Sequence, residues 1–510
     1  MHIGFLNPQG NFDSGNSHMT EHPDFGGQLI YVKQVAIAIA QKGHKVDILT
    51  RQIIDPQWPE FAEGLDTYPG VDNVRIIRLP AGPKEFLPKE FLWPHLVSDW
   101  VPNILKFYQE QGGLPDAMTA HYADGGLCGV LIEEETGIPF TFTAHSLGAQ
   151  KIDKLEVTPE NLVQIDEQFQ FRYRILAERL SMNRSAINIT STRQERFEQY
   201  SHPVYRDAVD VDNDNCFAVI PPGADFSIFG AEARSENEEG IYQFIQERLA
   251  RDIAEPRRDL PAIVASSRLE LKKNVLGLVQ AFAISQTLQE GANLVLLTGG
   301  LDDPLREQAS DDVTEEVLAP IREVVEENNL WGKISAFGLS DQGQEALAAT
   351  YRFMAKRRSV FALTALYEPF GLAPLEAAAA GLPVVATQNG GPSESLRKGD
   401  TEYGVLVDPE DPADIARGLE RLLCDEKEWE YFAQAGQQRV VKTYTWESTA
   451  ENYLTLIEQM VSSPQTRSRD QLLPIHPYFS NPQPQTDVSL EELSHLYFGS
   501  EQKVLSTPSA

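Results

Sequence analysis

Cysteine is scarce in this sequence. The three present, Cys128, Cys216 and Cys424, are far apart and odd in number. They supply neither a metal-ligand spacing nor a disulfide framework, a usage that fits a reducing cytoplasm. Long apolar runs are missing too: 42% of residues are hydrophobic, enough for globular packing, yet no stretch is apolar enough to span a bilayer. The first β-like run starts at Ile3, so no leader peptide is expected. Positive charge is in deficit, with 43 Lys and Arg against 75 Asp and Glu and a formal net charge of −32. Such a surface repels nucleic acid and anionic membranes at range, and neither is an expected partner. An anionic substrate must be caught by local clusters of Lys and Arg. A Gly-x-Gly-x-x-Gly turn is absent after the first strand, where Asn7-Pro8-Gln9-Gly10-Asn11 stands instead, which argues against a dinucleotide cofactor.

What is there is an alternation of β-rich and helical runs over 510 residues, too many for one core. Strands are expected at 3–7, 46–50, 74–79, 117–121, 140–145, 186–191 and 217–221, then at 262–266, 294–299, 334–337, 360–363, 384–387 and 405–407. Helical patterns separate them, most clearly at 28–41 and 168–180. The pattern predicts an α/β protein of two doubly wound parallel sheets. Pro221-Pro222-Gly223 is the natural joint, giving domains at 1–222 and 223–444, with a helix and polar tail over 445–510.

The charged residues sit where strands end. Within 360–396, a buried strand leads through a Gly/Pro turn to a small-residue helix beginning near Leu372 and Ala373, with Glu368 and Glu376 on either side. A helix N-terminus with free N–H groups suits a phosphate, although an ordinary βαβ unit with two solvated glutamates has the same pattern. Asn389-Gly390-Gly391-Pro392 makes a second glycine-rich turn. Gly26-Gly27-Gln28 opens a helix where backbone can approach an anion. Arg268 and Lys273 follow the first strand of the second half and can clamp a diphosphate, with Lys272 an equally placed neighbour. His145 ends a strand, and a lone histidine there is commonly structural. Lys89, Lys151, Arg172 and Arg174 are each ordinary surface charges taken singly, and an ideal helix splays Arg172 and Arg174 apart. The acidic run 210–215 fails as a calcium loop because Asn215 and Pro221 stand where Gly and Glu are needed.

Taken together, Glu368-Pro-Phe-Gly-Leu with Glu376 resembles the signature of family 4 of the retaining GT-B glycosyltransferases. Asn7-Pro-Gln-Gly-Asn-Phe12, Glu21-His-Pro-Asp-Phe-Gly-Gly-Gln28, Leu87-Pro-Lys89 and Tyr200-Ser-His202 narrow the resemblance to the sucrose-phosphate synthases, over nearly the whole chain. So do 474–479 and 489–498, which are similar to the end of the bacterial members. Neither the long N-terminal extension of sucrose synthases nor a C-terminal phosphatase-like domain is recognised.

The resemblance implies a GT-B fold: two Rossmann-like domains facing a central cleft, the C-terminal helix crossing back to the first, and closure about 221–223. It implies transfer of glucose from UDP-glucose to fructose 6-phosphate. His145, Arg268, Lys273 and Glu368 would be catalytic. Gly27, Leu372, Ala373, Glu376, Gly390 and Gly391 would bind the donor; Gly26, Gln28, Lys89, Lys151, Arg172 and Arg174 would bind the acceptor. Arg and Lys take the place of an obligatory metal, with Mg²⁺ at most a rate modulator. Front-face attack, the leaving phosphate taking the acceptor's proton, is the favoured route, with Glu368 as nucleophile the older alternative. A sister enzyme with another donor or acceptor (a sucrose synthase or a mannosylfructose-phosphate synthase) and a silent nucleotide-sugar binder remain open, as do the nucleotide base and the oligomeric state.

Overall fold

A computed structural model describes residues 1–18, 22, 24–309, 312–339, 343–463 and 471–499. Glu21 and Pro23 of the motif above lie outside the described residues. The chain divides into two compact units, Met1–Pro221 with Thr449–Ala510, and Pro222–Ser448.

The first unit holds β1 (His2–Leu6), β2 (Lys45–Arg51), β3 (Leu65–Asp66), β4 (Val74–Leu79), β5 (Ala117–His121), β6 (Phe140–Thr143), β7 (Ile187–Thr190) and β8 (Phe217–Val219). They form one sheet in the order β3-β4-β2-β1-β5-β6-β7-β8, parallel throughout except at the edge pair β3–β4. The two-residue β3 has no periodicity for a sequence pattern to register. The order reverses between β1 and β5, which are neighbours. A doubly wound sheet leaves a crevice at such a reversal, beyond the carboxyl ends of the strands.

The expected helix over 168–180 is two helices. Leu162–Phe169 ends and Phe171–Arg184 begins at Gln170, which is left-handed at φ 51°. Buried Asp166 holds the break, accepting from the backbone N–H of Arg172 at 2.9 Å and from its Nε at 2.7 Å. A late helix, Trp446–Ser462, enters the first unit at Thr449. There the Tyr453 hydroxyl lies 3.0 Å from that of Tyr31 and 3.1 Å from Thr143 Oγ1.

The second unit carries β9 (Ala262–Ser266), β10 (Asn293–Thr298), β11 (Ile334–Gly338), β12 (Val360–Leu363), β13 (Val384–Thr387), a small hairpin of β14 (Arg397–Lys398) and β15 (Thr401–Glu402), and β16 (Val405–Val407). The main sheet runs β11-β10-β9-β12-β13-β16, all parallel, and reverses between β9 and β12. Its strands read as continuous apolar runs because both faces are covered. The two-residue period sorts each run into two layers. Val264, Val295, Leu297, Phe361 and Leu363 pack in one core, while Ile263, Leu294, Leu296, Val360 and Ala362 pack in the other.

Candidate active site

In the second unit, the residues after β9 and β12 meet at the reversal. Lys273 Nζ donates to Glu368 Oε2 at 2.7 Å, with both side chains largely buried. Lys272 is turned elsewhere, 64% exposed and paired with Glu270 at 2.7 Å, so the structure separates the two lysines. Arg268 is 75% exposed and also pairs with Glu270, at 2.9 Å. The loop is pinned to β12: the Leu366 N–H donates to the Lys272 carbonyl at 2.9 Å, and Thr364 Oγ1 to the Asn274 carbonyl at 3.0 Å. Asn274, left-handed at φ 50°, then caps the helix Val275–Ile284 through Oδ1 and the Gly277 N–H.

Gly371, at φ 88°, turns the chain into the helix Leu372–Ala379, whose first N–H groups have no side-chain cap. Glu376 sits one turn in. Burial pushes its carboxyl up to about 7, with repulsion from Asp225 adding to the effect. The turn after β13 packs tightly on this segment, the Gly391 N–H donating to the Glu368 carbonyl at 2.9 Å. A Cβ at Gly390 would lie 2.0 Å from the Glu368 carbonyl oxygen, and one at Gly391 2.3 Å from that of Phe370. The two glycines are thus required by this backbone packing.

In the first unit, the carboxyl end of β6 presents His145, left-handed at φ 56°. Its Nε2 lies 2.9 Å from His121 Nδ1 at the end of β5, and the Tyr31 ring meets it edge-on. Burial lowers His145 to about 3, so the imidazole is neutral. Gly26 precedes and Gly27 opens the helix Gly27–Gln41, with open space where either Cβ would stand. Gln28 Nε2 is buried without a hydrogen-bond partner among the described residues.

Three of the four expected acceptor-side cations share one neighbourhood. Lys89 Nζ pairs with Asp24, and with Glu90 at 3.2 Å. Burial works against its charge, but these carboxylates outweigh it and raise its pKa. Buried Arg174 lies over the Tyr122 ring and donates to Glu178 at 2.9 Å and to the Ser146 carbonyl at 2.8 Å. Lys151 Nζ stands 3.8 Å from the Phe169 ring centroid and has no ion-pair partner among the described residues. Burial, then Arg174, lowers it to about 8. Arg172 is not brought to this group. It is held by Asp166, and its Nη1 reaches Asp487 and the Val488 carbonyl at 3.5 and 3.4 Å. The splay expected of two arginines two apart on a helix is thus realised, on either side of Tyr173.

Two family models match the chain: "Glycosyl transferase 4-like domain" over residues 26–211 and "Glycosyl transferases group 1" over 247–439. A probable sucrose-phosphate synthase of Thermosipho melanesiensis is 42% identical over 90% of this chain and 97% of its own length. The chain belongs to the sucrose-phosphate synthase family. Sucrose-phosphate synthase 4 of Arabidopsis thaliana is 32% identical over 92% of this chain but only 49% of its own length, so the chain spans about half of that plant relative. Among solved structures, a sucrose-phosphate synthase from Thermosynechococcus elongatus matches with a TM-score of 0.63 at 24% identity, over 91% of this chain and 99% of that one. The fold is GT-B. Among the described residues, no helix is long and apolar enough to cross a membrane.

Within the sucrose-phosphate synthase frame, sequence reasoning missed the partners of its own candidates. Asp24 entered only as one residue of the motif over 21–28, yet it anchors Lys89 through both side chain and backbone N–H. Asp225, which raises Glu376, caps the short helix Phe226–Phe229 and carries no motif. Contacts across such sequence distances leave no local signal.

Proposed function

We propose that this chain moves glucose, with retention, from UDP-glucose to the 2-hydroxyl of fructose 6-phosphate, giving sucrose 6-phosphate and UDP in the cytoplasm. The observation that carries the reading is Lys151: a half-buried ammonium beside Arg174, with no carboxylate paired to it among the described residues, in a chain of net charge −32. Such a cation calls for an anionic ligand. The 6-phosphate is held by Lys89, Lys151 and Arg174; Arg172 joins them only by leaving Asp166 and Asp487. Gly26 and Gln28 lie against the acceptor sugar. Binding energy collected at that remote phosphate positions the reacting hydroxyl.

On the donor side, Arg268, Lys273 and the N–H groups of Leu372 and Ala373 stabilise charge growing on the leaving diphosphate. These cations supply the charge a metal would bring, so no metal is obligatory and Mg²⁺ modulates rate at most. Glu376 accepts from the ribose hydroxyls, and Gly27, Gly390 and Gly391 let backbone approach the nucleotide sugar. Glu368 and neutral His145 contact the transferred glucose. In the front-face route the C1–O bond to UDP breaks as the C1–O bond to fructose forms, and the acceptor's proton passes to the departing phosphate. Glu368 then stays ion-paired with Lys273 and forms no bond to sugar; a covalent glucosyl adduct on Glu368, trapped with a slow donor, would contradict this.

The deciding experiment is UDP release from UDP-glucose with fructose 6-phosphate or plain fructose as acceptor. Turnover with the phosphate ester alone is expected. Equal turnover with plain fructose would remove the cations from the mechanism and reject the reading.

A further inference from the structure

The first unit holds a second polar set at its switch point, which the cations above do not use. Asn7 and Gln9 follow β1, and Asp124 lies in the first turn of the helix Tyr122–Thr136 that follows β5. All three are buried, at 0%, 3% and 2% exposure. Among the described residues, Asn7 Oδ1, Gln9 Oε1 and Asp124 Oδ2 have no hydrogen-bond partner. The two segments abut: a Cβ on Gly125 would lie 2.4 Å from the Leu6 carbonyl oxygen and 3.6 Å from Pro8 Cδ. The other ends of two of these side chains are tied down. Asn7 Nδ2 donates to the Gln9 carbonyl at 2.6 Å, and Asp124 Oδ1 accepts from the Gly125 N–H at 2.8 Å.

A buried acceptor without a donor is costly, and three on two abutting segments are a poor arrangement for stability alone. Their chemistry is one-sided: all three orphan atoms are oxygens. A phosphate, which brings mainly acceptors and negative charge, suits them poorly. A ligand with several hydroxyl donors can. Burial also pushes Asp124 up to about 7, opposed by its Gly125 hydrogen bond and by Lys89. The same carboxyl is therefore in electrostatic reach of a cation assigned to the phosphate.

We propose that Asn7, Gln9 and Asp124 form a polyol-reading subsite that binds the hydroxyls of the acceptor's sugar ring, apart from the cations that bind its phosphate. This rests on the acceptor reading above and divides that acceptor into two recognised parts.

The test uses Asp124→Ala and the isosteric Asp124→Asn in the full chain, with UDP-glucose as donor. The two probes are fructose 6-phosphate and inorganic phosphate, the latter as competitive inhibitor against it. In Asp124→Ala the KM for fructose 6-phosphate should rise about ten-fold or more, one orphan hydrogen bond being about 1.4 kcal/mol. The inhibition constant of inorganic phosphate and the KM for UDP-glucose should stay within about two-fold. Asp124→Asn, which keeps a carbonyl acceptor, should recover part of the loss, and its melt guards against simple unfolding. Lys151→Ala should weaken both probes together. If Asp124→Ala weakens both probes equally, Asp124 acts through Lys89 and the subsite is rejected. If neither moves, ordered water satisfies these oxygens and the subsite is again rejected. A wild-type chain without turnover on fructose 6-phosphate would instead refute the proposed acceptor, an outcome visible before any variant is made.

Discussion

Glu376 is held against its own ionisation, and the consequence has a definite sign. Its folded pKa is raised from 4.5 to about 7 by burial. Below pH 4.5 the folded and unfolded forms are both protonated, and charge costs nothing. Between there and pH 7 the unfolded chain gives up a proton that the folded one keeps, so stability falls as pH rises and stays reduced above 7. Glu376→Gln should therefore stabilise the protein by about 1–3 kcal/mol at pH 8. At pH 5 it should change little, and at either pH it should weaken UDP-glucose binding. Thermal melts at the two pH values check this, and an equal gain at both would sink the desolvation account. Lys273→Ala should lower kcat about 10²–10³-fold, as loss of one charge-stabilising donor does; steady-state kinetics decide it. His145, held near 3, should contribute no inflection to the pH–rate profile between pH 5 and 9. At this scale the sequence announced Lys273 and Glu368 because charged residues interrupt apolar strand-ends. It could not announce Asp124 or Gln9, because the lack of a partner exists only after folding.

Among elements, the parallel strands were the most legible part of the chain. Each run fully covered on both faces, such as Val360–Leu363, leaves an apolar block bounded by turn residues. The helix break at Gln170 was not legible, since Phe169, Gln170 and Phe171 keep a helical pattern and the break is set by Asp166 bonding forward to Arg172. The glycine turn was legible as a turn, but its reason was not: Gly390 and Gly391 are pressed onto 368–370. Gly391→Ala should cost about 2 kcal/mol or more in a urea melt and raise the KM for the nucleotide sugar, because Glu368 moves with the displaced backbone. The segment 471–499 is fastened to the helices that carry the acceptor-side cations. Tyr478 stacks on Tyr173 at 4.5 Å, Asp487 accepts from the Tyr173 hydroxyl at 2.6 Å, and Tyr497 donates to Asp153. Tyr497→Phe should raise the KM for fructose 6-phosphate about two- to five-fold with the donor KM unmoved, an exposed hydrogen bond being about 1 kcal/mol; an unchanged KM would make this fastening a matter of stability only.

For the whole molecule, net charge sets the approach of substrate. At −32 the protein repels both a nucleotide sugar and a sugar phosphate until they are close to the local cations. Added salt screens that repulsion, so stopped-flow association rates for UDP-glucose should rise between about 10 and 150 mM ionic strength, opposite in sign to ordinary electrostatic steering. A fall would mean that the clusters around Arg268 and Lys273 dominate the field even at range.

The late helix carries a consequence for how the chain is made. The hydroxyls of Tyr31 and Thr143 are met by Tyr453, and the Pro221 carbonyl by Thr449 Oγ1 at 2.8 Å. The first unit therefore needs residues that leave the ribosome only after the whole of Pro222–Ser448 has been synthesised. The second unit is continuous in the nascent chain and can fold as it emerges. The first cannot be completed until its neighbour has been translated. Residues 1–221 are synthesised before Pro222–Ser448, and the unit they belong to is completed after it.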